Sequence, residues 1–150
     1  MSVTPQLPTF EADNSWEHFP HDADIGVRGY GRNVATAFEN VARAMTAVML
    51  DPGEVRPNQM VCITCEAPDQ EILLVDWLNA LIFEMSTRKM IFSEFNVSIE
   101  NGRLEAEARG ETTDVERHAP AVEIKGATFT ELKVTQIEDG RWLAQCVIDV

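Results

Sequence analysis

Apolar residues recur along this chain with two periods, and the changes between them mark where strands give way to helices. Trp16 to Phe19 and Ile25 to Gly31 predict two short strands around a loop at Pro20 to Asp24, with Gly26, Gly29 and Gly31 as bends or points of close backbone approach. After Asn33, an N-cap, the apolar positions Val34, Ala37, Phe38, Val41 and Met45 repeat at helical spacing, and Asp51-Pro52-Gly53 ends that helix. Met60 to Glu66 alternates as a strand, and Asp69 then caps a second helix over about Gln70 to Lys89. Apolar residues ring most of that helix, which places it centrally in the core. The strands Ile91 to Glu100 and Arg103 to Arg109 flank the hairpin signal Asn101-Gly102, and Glu123 to Gln136 and Arg141 to Val150 flank Asp139-Gly140. The pattern predicts an α+β fold: a two-layer domain over residues 16–150, with two main helices packed on an antiparallel or mixed β-sheet. Residues 1–15, polar and containing Pro5 and Pro8, read as an N-terminal tail.

Composition narrows the classes of partner. The 150 residues carry 25 acidic against 12 basic side chains, a formal charge of −13, which repels a phosphate backbone and weighs against extensive direct nucleic-acid binding. A basic protein surface is the better complement. The N-terminal stretch has neither a basic nor an apolar signal region, so a cytoplasmic location is expected. The run from Ile72 to Phe83 is interrupted by Asp76 and Asn79 and is too short to cross a bilayer, so no membrane span is expected. Cys62 and Cys65 have the spacing of a metal or redox pair, but residues three apart on a strand face opposite sides of a sheet. They and Cys146 are expected to be buried and inert.

The remaining chemistry lies near the two ends. In the last strand Trp142, Ala144, Cys146, Ile148 and Val150 share one face, and Leu143, Gln145, Val147 and Asp149 the other. Asp149 taken alone is a rim charge, Asp24 a turn cap, and Asp22 a loop charge. If the ends converge, however, Asp24, Asp149 and the α-carboxylate of Val150 supply three hard oxygen donors, which require a cation or altered protonation. His21 reads either as a base or metal ligand, or as a loop histidine bonded to its neighbours. Lys125 by itself reads as an exposed lysine guarding a strand edge, and Asp76 as a hydrogen-bonded polar seam in the second helix.

Five collinear blocks carry a resemblance. His21-Asp22-Ala23-Asp24-Ile25-Gly26-Val27, Ala37 to Ala42, Leu73 to Asn79, Val122 to Phe129 and the closing Ile148-Asp149-Val150 together resemble the archease family from Trp16 to Val150. The resemblance implies a small accessory protein of an RtcB-type RNA ligase, which joins ends bearing a 2′,3′-cyclic or 3′-phosphate to a 5′-hydroxyl in tRNA splicing or RNA repair. It implies that the accessory protein promotes guanylylation and multiple turnover of that ligase and is not itself an enzyme. Carried over by residue, it implies metal ligands at Asp24, Asp149 and the Val150 carboxylate, and a functional lysine at Lys125, with His21 and Asp22 beside them. The expected cofactor is a divalent cation, Ca²⁺ ahead of Mg²⁺. The sequence departs from the family at Asp22, usually Thr, at Phe129, usually Tyr, and at Thr130, usually His; a hydroxyl and an imidazole are lost. Two other classes compete: a metal-assisted hydrolase with His21 as base, and a general chaperone-like binding module.

Overall fold

The computed structural model describes residues 15–150. All but the last residue of the expected tail lie outside the described residues; Ser15 lies within them, its carbonyl accepting the Tyr30 N–H at 2.8 Å. Strands β1 (Trp16–His21) and β2 (Asp24–Gly31) form an antiparallel hairpin turning at Asp22-Ala23, where Asp22 adopts φ 53°. Helix α1 (Val34–Met49) starts on Asn33, whose side chain accepts the Thr36 N–H. A short 3₁₀ turn at Pro52–Glu54 leads to β3 (Gln59–Glu66), and Asp69 caps α2 (Gln70–Arg88) by accepting the Ile72 N–H. Strands β4 (Met90–Glu100) and β5 (Arg103–Thr112) are joined through left-handed Asn101 and Gly102, as the Asn-Gly pair requires. A single turn, α3 (Val115–His118), precedes β6 (Gly126–Ala127), β7 (Lys133–Gln136) and β8 (Trp142–Asp149).

The fold is α+β with every strand pair antiparallel, and its strands divide into two sheets. One has the order β1-β2-β8-β6 with β7 also paired to β8; the other has the order β3-β5-β4. The helices join them. Helix α1 packs on β2 and β8 of the first sheet and on β4 of the second. It lies so close to β2 that a Cβ on Gly29 would collide with the backbone of Ala37 and Val41, and one on Gly31 would meet the Ala37 nitrogen at 2.5 Å. Trp77 of α2 is fully buried and donates its indole N–H to the Phe38 carbonyl of α1 at 3.0 Å, which ties the helices together without leaving a buried donor unpaired.

Helix side chains also terminate the sheet edges. Along β4, Glu39 accepts the Val97 N–H at 2.8 Å and Thr46 donates to the Phe92 carbonyl at 2.8 Å. Along the β6–β7 edge, Glu71 accepts the Val134 N–H at 3.4 Å, and Asn79 bonds both backbone groups of Ala127. Unpaired backbone groups at these edges would otherwise template pairing with other chains.

Several expectations change in the folded molecule. Helix α2 buries one face, including Leu73, Leu74, Trp77 and Leu81, whereas Asp76 is exposed and Phe83 is 62% exposed, because none of the described residues covers the helix opposite the sheets. The expected strand from Glu123 to Gln136 is broken into β6 and β7 by an excursion at residues 128–132. The excursion remains tied to β8: the Thr128 N–H donates to the Val147 carbonyl, and the Val147 N–H donates to the Thr130 carbonyl. Strand β8 is buried from Leu143 to Ile148, on both faces rather than one. Ala144, Cys146 and Ile148 join the main core, while on the other face Gln145 accepts from Arg28 and donates to the Glu131 carbonyl.

An ionic cluster joins buried Glu111 and His118 to exposed Arg117. Glu111 of β5 accepts from the Arg117 guanidinium at 2.6 Å, the Arg56 N–H at 2.8 Å and His118 Nε2 at 3.0 Å. The Asp114 N–H donates to His118 Nδ1, so Nε2 carries the hydrogen directed at Glu111. Charge and hydrogen bonds from Arg117, then the Arg56 amide and His118, hold the Glu111 carboxyl down to about 2. These bonds stabilise α3, a turn with little apolar burial of its own.

Two outcomes are expected from these contacts. Gly29→Ala should lower the urea-unfolding free energy by about 3 kcal/mol, since the added methyl meets backbone that cannot give way. A carboxyl whose pKa is depressed on folding stabilises fully above its unfolded value near 4.5 and loses that contribution as pH falls toward 2. The melting temperature should therefore drop across that window, and less steeply in Glu111→Gln.

Candidate functional site

The strand registers bring the β1–β2 turn and the C-terminal residues to one end of the larger sheet. His21 pairs with Asp24 across the β1–β2 hairpin, Ile25 pairs with Ile148 across β2–β8, and Gly126 pairs with Asp149 across β6–β8. One step beyond Ile25–Ile148 sets Asp24 opposite Asp149, so His21, Asp24, Asp149 and Gly126 form a row across four strands. Directly opposed residues of an antiparallel pair have Cβ atoms about 5 Å apart, a separation a single cation can bridge through two carboxylates.

Hydrogen bonds fix this end. The Val150 N–H points at Asp24 Oδ1 at 3.4 Å, which places the terminal carboxylate one residue's reach from the Asp24 side chain. The Lys125 N–H donates to the Asp149 carbonyl at 2.8 Å, setting the Lys125 strand alongside Asp149. Asp24 and Val150 are half-buried, while Asp149 and Lys125 are exposed. Asp24 and the C-terminal residues thus lie at the same end of the sheet, with the Lys125 backbone bonded to that of Asp149. His21 is the last residue of β1 and not a loop residue; Asp22 is exposed at the apex of the turn.

The donor set is all oxygen: two side-chain carboxylates and the α-carboxylate. Among the described residues, no three His, Cys, Asp or Glu side chains converge as a metal cluster; a set of three anions here would need the terminal carboxylate beside Asp24 and Asp149. Hard oxygen donors with open positions for water fit Ca²⁺ or Mg²⁺ and fit soft metals poorly.

The thiols lie elsewhere. Cys62 and Cys65 face opposite sides of β3, which leaves Cys62 exposed toward solvent, contrary to the expectation of burial, and Cys65 half-buried with its pKa raised by burial and by Asp76. Burial pushes the Cys146 thiol up to about 12. Neither Cys65 nor Cys146 has the depressed pKa of a reactive thiolate.

Sequence reasoning passed over Asn79 as a mere interruption of the apolar run. Its Oδ1 accepts the Ala127 N–H at 2.9 Å and its Nδ2 donates to the Ala127 carbonyl at 3.3 Å. The available signal was an amide side chain at a half-buried position of an otherwise apolar helix, where an unpaired amide would be costly.

Comparison with known proteins covers the same span as these elements. Residues 16–150 match the model of the Archease protein family (MTH1598/TM1083). The chain is 41% identical over 139 residues to the protein archease of Thermococcus gammatolerans, covering 90% of this chain and 98% of that one. It is 36% identical over 140 residues to the protein archease of Methanosarcina barkeri, at 90% and 95% coverage. The solution structure of Methanobacterium thermoautotrophicum protein 1598 superposes with a TM-score of 0.80 at 33% identity, covering 91% of this chain and 99% of that one. The crystal structure of an archease from Thermotoga maritima, described as a possible chaperone, shares the fold at a TM-score of 0.54 and 19% identity, over 88% and 94%.

Proposed function

This chain belongs to the archease family, and from that membership we propose that it is an accessory protein that activates an RtcB-type RNA ligase, promoting its guanylylation and repeated turnover. The observation that carries the proposal is the Val150 N–H directed at the Asp24 carboxylate, with Asp149 next to it in β8 and the Lys125 backbone bonded to Asp149. A divalent cation, Ca²⁺ ahead of Mg²⁺, is held there by the three carboxylates. Ca²⁺ is favoured because it accepts irregular oxygen geometry with mixed protein and water ligands, whereas Mg²⁺ demands a near-ideal octahedron. The bound ion supplies positive charge at an otherwise anionic edge.

The chain's own residues do the rest. The Asp24 carboxylate orients the C-terminus through the Val150 N–H, and the β6–β8 register keeps Lys125 next to Asp149. Lys125 is exposed and is free to contact phosphate or a carboxylate of the ligase. The formal charge of −13 leaves recognition of RNA to the ligase and favours docking on a basic protein surface. No helix among the described residues is long and apolar enough to cross a membrane, which is compatible with action on a cytoplasmic ligase.

Ligase guanylylation should be stimulated by the wild-type protein and fall roughly tenfold or more with Asp24→Ala or Asp149→Ala, in line with losses typical of disrupted metal sites. Undiminished stimulation by both variants would sink the proposal, and equal protection of unrelated aggregating clients by wild type and Asp149→Ala would favour a general chaperone instead. Separately, Ca²⁺ at about 100 times its Kd should add about 2.7 kcal/mol to the unfolding free energy of the wild type and little to that of either variant.

A further inference from the structure

The residue that sets the position of Lys125 is on a helix, and it holds the strand from the side opposite Asp149. β6 is only Gly126 and Ala127, too short to define its own register by pairing alone. On one side its partner is β8, through Gly126–Asp149 and Ala127–Ile148. On the other side no strand follows among the described residues. Asn79 takes that place, its amide satisfying the Ala127 N–H at 2.9 Å and the Ala127 carbonyl at 3.3 Å as an adjacent strand would.

Two residues upstream of this clamp, the Lys125 N–H reaches the Asp149 carbonyl at 2.8 Å. A shift of β6 by a single residue would turn Lys125 toward the opposite face, because side chains alternate along a strand. Glu71 also caps this sheet edge, but it does so at Val134 of β7, beyond the 128–132 excursion, and cannot fix β6. The buried neighbours of Asn79 on α2, Leu78 and Leu81, root it in the core, so the clamp is held by a rigid element.

We infer that Asn79 is a positioning residue of the functional edge: by bonding both backbone groups of Ala127 it locks the register of β6 and so presents Lys125 beside the Asp24–Asp149 carboxylates. This rests on the accessory-protein reading for the role of Lys125, though not for the clamp itself. Asn79 touches neither cation nor ligase and acts through the strand alone.

The test is a double-mutant cycle joined to hydrogen exchange. In the isolated protein, Asn79→Ala should speed amide exchange at Lys125 and Ala127 while leaving Val27 and Cys146, in the middle of the β2–β8 pairing, protected. In the ligase guanylylation assay it should lower stimulation on the order of tenfold when Lys125 is present, and less than about twofold in a Lys125→Ala background, since the two changes remove one effect. Equal losses in both backgrounds would mean that Asn79 only stabilises the fold, and unchanged exchange at Lys125 would overturn the clamp. If the wild-type protein fails to stimulate the ligase, the accessory reading falls, while the exchange experiment still decides whether Asn79 governs β6.

Discussion

Strand β8 is hydrogen-bonded along both of its edges, to β2 on one side and to β6 and β7 on the other, and the arrangement of the functional end follows from that. A C-terminal strand set at an edge would fray, and its last residues would wander. Enclosed between neighbours and buried on both faces, it delivers Asp149 and the terminal carboxylate to a defined place. Asp24 meets them because β2, the other partner of β8, begins at that same end of the sheet. The anionic edge is thus a property of sheet order, and any change that displaces β2 from β8 disperses it.

That sheet order is in turn held by the helices. Helix α1 lies against β2 at Gly29 and Gly31 and reaches across to cap β4, so one element binds both sheets. Helix α2 is tied to α1 through Trp77 and to the far edge of the larger sheet through Glu71 and Asn79. Hydrogen bonds from helix side chains to strand backbone recur at each of these edges. They satisfy groups that would be costly to bury unpaired.

Under the proposed reading, Asp24, Asp149 and the Val150 carboxylate are like charges whose mutual repulsion a cation would relieve. Lys125 is tied to this row by its backbone bond to Asp149, and it immediately precedes the short strand β6. A site composed of strand ends and a terminus has little rigidity from local structure alone. Its precision derives from register, which is how an amide on a helix would matter to a lysine that leads into a strand.

Much of this was legible in the sequence. The caps at Asn33 and Asp69, the Asn101-Gly102 turn, the helical spacing of α1 and the alternation of β3, β4 and β5 are local signals, each set by dihedral preference or by period. The collinear blocks from His21 to Val150 pointed to the family and to Asp24, Asp149, Val150 and Lys125. What local signals could not specify was partnership: the division of the strands into two sheets, the break at 128–132, the exposed back of α2, and the pairing of Asn79 with Ala127. Each of these depends on contacts between residues tens of positions apart, where side-chain pattern says which face is apolar but not what covers it. The meeting of Asp24 with the C-terminus belongs to the same class: the chain names the carboxylates, and only the central placement of β8 brings them together.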